Sequence, residues 1–172
     1  MIDTLEEDIK QARIKAFHLL KFRLRSEKEL RQRLTEKRFS VAVLDRLMED
    51  LKAKGFLDDA KLARLMAAQK VAFKPVGRRL MLAQLKAKGI DASLAQNAID
   101  VETAGKDETT VVRELAQKKF SSMKGLEPAA AERRLIGFLA RRGFSANVVY
   151  RVARELTANH VIARSDSDEA IS

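Results

Sequence analysis

The 172-residue sequence has no cysteine and no tryptophan, one tyrosine, two prolines and seven glycines. Without cysteine there is no disulfide, no thiolate nucleophile and no cysteine-ligated metal. The only histidines, His18 and His160, lie far apart. No apolar run approaches the roughly 18 residues that a membrane-spanning helix needs. The opening stretch Met1-Ile2-Asp3-Thr4-Leu5-Glu6-Glu7-Asp8 is acidic, the wrong sign for a secretory signal. A soluble, cytoplasmic protein without a membrane partner is expected.

Catalytic patterns are also missing. There is no Gly-rich phosphate loop, no Gly-x-Ser-x-Gly and no His-Glu-x-x-His. The pair Asp58-Asp59 could in principle hold Mg²⁺ or divide acid–base work. Its simpler role is at a helix start, one carboxylate as N-cap and the other facing the helix dipole. His18 sits among apolar helical neighbours and reads as packed or surface-exposed, and His160 has no assigned role. No catalytic residue, metal ligand or cofactor is expected, and the chain reads as a non-enzyme.

What remains is helix-forming and basic. Hydrophobic residues make up 46 % and aromatics 5 %, a mixture rich in Ala, Leu, Lys, Arg and Glu that favours helices over sheets. The formal charge is +10, which favours a polyanionic partner. It is unevenly spread: +2 over residues 1–59, +5 over 60–105, +6 over 106–164 and −3 over the last eight.

The sequence also repeats. With Leu34, Leu85 and Leu139 aligned, Leu30, Met81 and Leu135 stand four residues upstream and Ser26, Gly77 and Ala131 eight upstream. An i, i+4 apolar pair is one face of a helix. Ser26-Glu27-Lys28-Glu29 reads as a capping box. Gly89 and Gly143 supply the left-handed residue that ends a helix, with Ile90 and Phe144 tucked beneath. Ser40, Asp91 and Ser145 are N-caps for a further helix, amphipathic in the first unit through Val43, Leu44, Leu47, Met48 and Leu51. Longer helices precede each pair: about 5–24, with Ile9, Ala12, Ala16, Leu19 and Leu20 inward; about 59–73, with Leu62, Leu65, Met66 and Phe73; about 107–120, with Val111, Val112, Leu115 and Phe120.

The expected fold is therefore all-α: three tandem three-helix repeats, or trihelical bundles, in an elongated, curved array. The repeats span 1–58, 59–105 and 106–160. An acidic tail over 161–172 has no periodicity and is expected to be disordered.

Basic residues cluster at corresponding places in the repeats: Arg23, Arg25, Lys28 and Arg31; Arg78, Arg79, Lys86 and Lys88; Arg133, Arg134, Arg141 and Arg142. They form a candidate stripe for a phosphate backbone or a filament groove, or else the ordinary solvated faces of the helices. Phe39, Phe73 and Phe144 fall at core positions, which argues against base stacking on them.

Several stretches resemble the RecX family, the bacterial regulators of the RecA recombinase. They are Leu19-Leu20 through Arg25-Ser26-Glu27-Lys28-Glu29-Leu30 to Leu34; Gly55-Phe56-Leu57-Asp58-Asp59-Ala60-Lys61-Leu62-Ala63; Gly77 to Leu85 with Lys86-Ala87-Lys88-Gly89-Ile90; and Phe138-Leu139-Ala140-Arg141-Arg142-Gly143-Phe144. Together they span about residues 8–155 in order. The resemblance implies a monomeric regulator in recombination, DNA repair and the SOS response. It would bind the RecA filament on single-stranded DNA, with double-stranded DNA as a further partner. It would oppose filament extension, ATP hydrolysis, strand exchange and co-protease function. Two positions depart from the pattern: Lys37-Arg38 stands where the other repeats place a basic residue before Gly, and Leu62 stands where the family often has an aromatic. The alternatives are a helix-turn-helix-like, sequence-specific DNA-binding transcriptional regulator and a helical scaffold with no nucleic-acid role.

Overall fold

The computed structural model describes the backbone of residues 2–123 and 125–169, and side chains from Thr4 to Ala158 apart from position 124. His160 lies outside the described side chains. Among the described residues the regular structure is all helical: α1 (Ile2–Phe22), α2 (Glu27–Thr35), α3 (Val41–Ala53), α4 (Asp59–Phe73), α5 (Arg78–Ala87), α6 (Ala92–Thr103), α7 (Glu108–Phe120), α8 (Pro128–Arg141) and α9 (Ala146–Glu169). A single 3-10 turn, Ser121–Met123, lies between α7 and α8. Each repeat has three helices, and in the first two repeats the middle one is the shortest.

The chain divides into two compact units, Met1–Gln69 with Leu82–Glu102, and Lys70–Met81 with Thr103–Ser172. The middle repeat is shared between them, so it is not a body of its own. In the first unit α1, α2 and α3 enclose a core of Ile9, Ala12, Ala16, Leu30, Leu34, Val43, Leu44, Leu47, Met48, Leu51 and Leu57, with Leu19, Leu20 and Phe39 against it. The i, i+4 pair Leu30/Leu34 and all five α3 positions read from the sequence lie inside. In the second unit Leu135, Leu139, Phe144, Val149 and Val152 join Val112 and Ala116.

The helix starts are held by short side-chain acceptors. The Ser26 hydroxyl accepts from the Glu29 amide at 3.1 Å, and Asp58 accepts from the Lys61 amide at 2.8 Å. Asp91 accepts from Ser93 at 2.7 Å. Glu127 accepts from Ala129 at 3.0 Å, with Pro128 in the first helical turn. Pro needs no amide partner there.

Several expectations are corrected. The Glu29 carboxylate does not complete the capping box; it is taken by Arg23 and Arg25. Asp59 does more than face its own helix: its carboxylate accepts from the Glu27 amide at 2.9 Å and so supports the start of α2 from the next repeat. α4 buries Leu62, Ala63 and Ala67, while Leu65 is 49 % and Phe73 79 % exposed. The helix thus turns small residues inward. Phe73 is consequently not a core residue. α9 is helical to Glu169, through most of the segment expected to be a disordered tail; residues 170–172 lie outside the described residues. Apolar periodicity reports burial, whereas a helix already nucleated propagates without it.

The repeats join by one device used twice. In the first unit the Ser26 hydroxyl donates to the Lys88 carbonyl, and the Lys28 side chain lies against Gly89, where a Cβ would fall 2.6 Å from that of Lys28. In the second unit the Gly77 amide donates to the Arg142 carbonyl at 2.8 Å, and Leu80 lies against Gly143. The start of one repeat's short helix is thus seated on the next repeat's glycine turn. At the corresponding turn of the first repeat Arg38 takes the left-handed conformation with φ 66°.

Candidate basic interface

The twelve basic residues fall in the two units: Arg23, Arg25, Lys28, Arg31, Lys86 and Lys88 in the first, and Arg78, Arg79, Arg133, Arg134, Arg141 and Arg142 in the second. They do not all have the same freedom to meet a ligand.

Four are engaged in holding the fold. Arg25, 11 % exposed, pairs with Glu29 at 2.6 Å and donates to the Leu19 carbonyl at 3.2 Å. Arg23 grips the same carboxylate at 2.9 Å. The hydrogen bond from Arg23, then the charges of Arg23, Arg25 and Lys88, hold the Glu29 carboxyl below its ordinary range against the opposing effect of burial. Arg31 bridges Asp45 at 2.5 Å and Glu27 at 3.5 Å, tying α2 to α3. Arg142 donates to the Pro75 carbonyl at 3.0 Å and lies 4.8 Å from the centroid of the Phe138 ring. Arg79 and Arg78 have lighter attachments, to the Ala140 carbonyl at 3.4 Å and the Thr103 hydroxyl at 2.9 Å. Lys28, Lys86 and Lys88 are exposed.

Arg133, Arg134 and Arg141 come together. They line one side of a cleft of about 540 Å³ with Lys119, Ser122, Met123, Leu126, Gly137 and Phe138. The lining has four cations and no carboxylate. Arg133, Gly137 and Arg141 follow at i, i+4 and i+8, so one face of α8 carries them. Lys119 arrives from α7, with its ammonium 5.8 Å from the Phe138 centroid; sequence reading missed it because it lies outside the repeat alignment. Gly137 was missed as well. A glycine inside a helix costs about 1 kcal/mol relative to alanine. Its φ is not in the left-handed region, and among the described residues, its own helix backbone aside, the atom a Cβ would meet within 4 Å is the Arg141 Nη1, at 3.2 Å.

Among the described residues no group of three or more His, Asp or Glu could hold a metal, and no helix is long and apolar enough to cross a membrane.

The repeat architecture has counterparts in known proteins. Family models for the first, second and third three-helix domains of RecX match residues 12–51, 58–99 and 107–153, in that order. The chain belongs to the RecX family. It is 32 % identical over 166 residues to the regulatory protein RecX of Amycolatopsis mediterranei (strain U-32), covering 96 % of this chain and 94 % of that protein. It is 33 % identical over 146 residues to that of Mycobacterium ulcerans (strain Agy99), covering 83 % and 82 %. The fold is similar to the crystal structure of RecX from Lactobacillus salivarius, with a TM-score of 0.77 at 19 % identity over 88 % of this chain and 97 % of that one. The three RecX domains in tandem coincide with the trios α1–α3, α4–α6 and α7–α9.

Proposed function

We propose that this RecX-family chain is a monomeric, non-catalytic cytoplasmic regulator that binds the RecA filament on single-stranded DNA. It would oppose filament extension and with it ATP hydrolysis, strand exchange and co-protease function. The observation that carries the reading is the ordered match to all three RecX domains over most of the chain. A net charge of +10 and a cleft lined by four cations support a polyanionic partner. A repeated protein also suits a partner that is itself a repeated structure.

The helix-turn-helix alternative expects a third helix with a basic outer face. The exposed residues of α6 include Ser93, Leu94, Asn97, Asp100 and Val101, those of α3 include Val41, Ala42, Asp45, Arg46, Glu49 and Lys52, and those of α9 include Asn147, Tyr150, Arg151, Arg154 and Glu155. The faces of α3 and α6 are not suited to a phosphate-lined groove and only α9 turns several basic and amide side chains outward, so it is the ordered match to all three RecX domains that favours the filament reading.

The test follows RecA's single-stranded-DNA-dependent ATPase as the protein is titrated in. Loss of ATPase at well below one molecule per RecA is expected. No effect at equimolar protein, together with tight binding to one duplex sequence, would promote the transcriptional alternative.

A further inference from the structure

α1 buries one side against α2 and α3 and turns a second apolar side to solvent. Ile14, Phe17 and Phe22 of this helix, with Leu24 just beyond it, are exposed. Ile14, His18 and Phe22 follow at i, i+4 and i+8, so they form one row, and the rings of His18 and Phe22 meet edge to face at 5.1 Å. Phe17 stands beside that row and meets Phe56, from the turn after α3, with ring centroids 4.8 Å apart. Single exposed apolar residues are ordinary, but adjoining ones rimmed by polar residues mark interaction sites. The repeat does not require them: the exposed residues of α7, the corresponding helix of the third repeat, are all polar.

The surroundings carry one sign of charge. Between Asp8 and Glu27 every charged residue is basic. The nearby acids are already engaged, Glu7 by Lys10 at 3.6 Å and Asp50 of α3 by Arg13 at 3.2 Å and Lys54 at 2.6 Å. Lys15 and Lys21 stand exposed beside the apolar row.

We propose that this outer face of α1, together with Phe56, docks on the RecA protein itself by seating an acidic amphipathic helix of the filament, and leaves single-stranded DNA to other surfaces. The proposal rests on the reading that the chain binds the RecA filament. Apolar side chains of the partner cover Ile14, Phe17 and Phe22, and its carboxylates meet Lys15 and Lys21. Aromatic anchors carry much of the energy of such interfaces, and helices laid side by side interlock through side chains one turn apart. A lipid surface suits the face less well. The opposite side of α1 is packed in the core and Phe56 belongs to another element, so the helix cannot sink along its length into a headgroup layer.

The test uses the full chain and RecA filaments assembled on oligothymidylate, with bare oligothymidylate alongside. The double variant Ile14→Glu/Phe22→Glu is expected to weaken filament binding at least about tenfold. Its affinity for bare DNA should be unchanged and its Tm within about 3 °C of the unsubstituted chain. Lys15→Ala/Lys21→Ala should lose about threefold on filaments, and Ile14→Leu/Phe22→Leu should bind them normally. Should the glutamate pair lower Tm further, Phe22→Ala decides, at a residue 71 % exposed: weakened filament binding supports the proposal and unchanged binding overturns it. Unchanged filament binding in the glutamate variant also overturns it, as does an equal loss on bare DNA, which would give the face to nucleic acid. If the unsubstituted chain binds bare DNA but not filaments, the filament reading fails and this proposal falls with it. If that chain binds filaments and the variants bind equally well, this proposal fails alone.

Discussion

The backbone amide of Gly77 donates to the carbonyl of Arg142 at 2.8 Å, which puts the start of α5 directly against the turn between α8 and α9. A Cβ at residue 77 would overlap the carbonyl of Gly143 and the amide of Phe144, both backbone. Gly77→Ala is expected to destabilise the chain by about 2–3 kcal/mol, since backbone cannot rotate out of the way. Gly55→Ala is the comparison. Nothing lies within 4 Å of its Cβ position, but φ is +73°, so the expected cost is only the left-handed strain of about 1 kcal/mol. Urea titrations of the two variants should separate them.

Arg142 and Arg133 belong to the same charge cluster but should behave differently. Arg142→Ala removes the bond to the Pro75 carbonyl and the contact with the Phe138 ring, and should lower stability by about 1–2 kcal/mol. Arg133→Ala should change stability by less than about 0.5 kcal/mol. Thermal melts of both proteins check this.

Acid should release the Glu29 clamp. Arg23 and Arg25 hold the Glu29 carboxyl below its ordinary value of 4.5 in the folded chain. Its contribution is therefore full above that value and lost as pH falls through the lower, folded one. Glu29→Gln should cost about 1–2 kcal/mol at neutral pH, because the sheltered Arg25 loses its partner, and nearly nothing once the unsubstituted chain is itself protonated. Equal losses at pH 7 and in strong acid would contradict this.

Asp59 has the opposite sign. Burial above all raises its carboxyl above the ordinary 3.8, against the Glu27 amide that lowers it. The folded chain holds this proton more tightly than the unfolded one, so stability falls as pH rises from 3.8 through the folded value. Asp59→Asn keeps an acceptor for the Glu27 amide and removes the charge. Its stability should be independent of that titration, and at neutral pH at least equal to that of the unsubstituted chain, as denaturant midpoints across the acid range would reveal.

On α4, Leu62→Ala should cost about 2–3 kcal/mol, whereas Phe73→Ala should stay within about 0.5 kcal/mol. Leu62 is 8 % exposed and Phe73 79 %. Periodicity assigns both to one buried face, and the comparison shows where that reasoning fails.

The repeat was legible because its signals are local. Leu34, Leu85 and Leu139 are each all but inaccessible, and the left-handed turns at Gly89 and Gly143 lie where the glycines stand. α4 misleads because, beside Leu62, its inward residues are Ala63 and Ala67, which carry little hydrophobic weight. The arginines mislead for a different reason. Asp45, the partner of Arg31, is fourteen residues away and Pro75, the partner of Arg142, sixty-seven. Charge alone cannot separate an arginine that holds helices together from one left for a ligand. Gly137 did carry a signal, a glycine within a helical pattern; among the described residues a Cβ there would meet the flexible tip of Arg141.

The turn at Arg38 gives the array a direction of growth. A copy of the first repeat inserted further along would place the Arg38 side chain where Gly89 has only a hydrogen, against the preceding Lys28. A copy of the second repeat would bring its own glycine and could be accepted. Lengthening of such a chain by duplication is therefore better started from the second repeat than from the first.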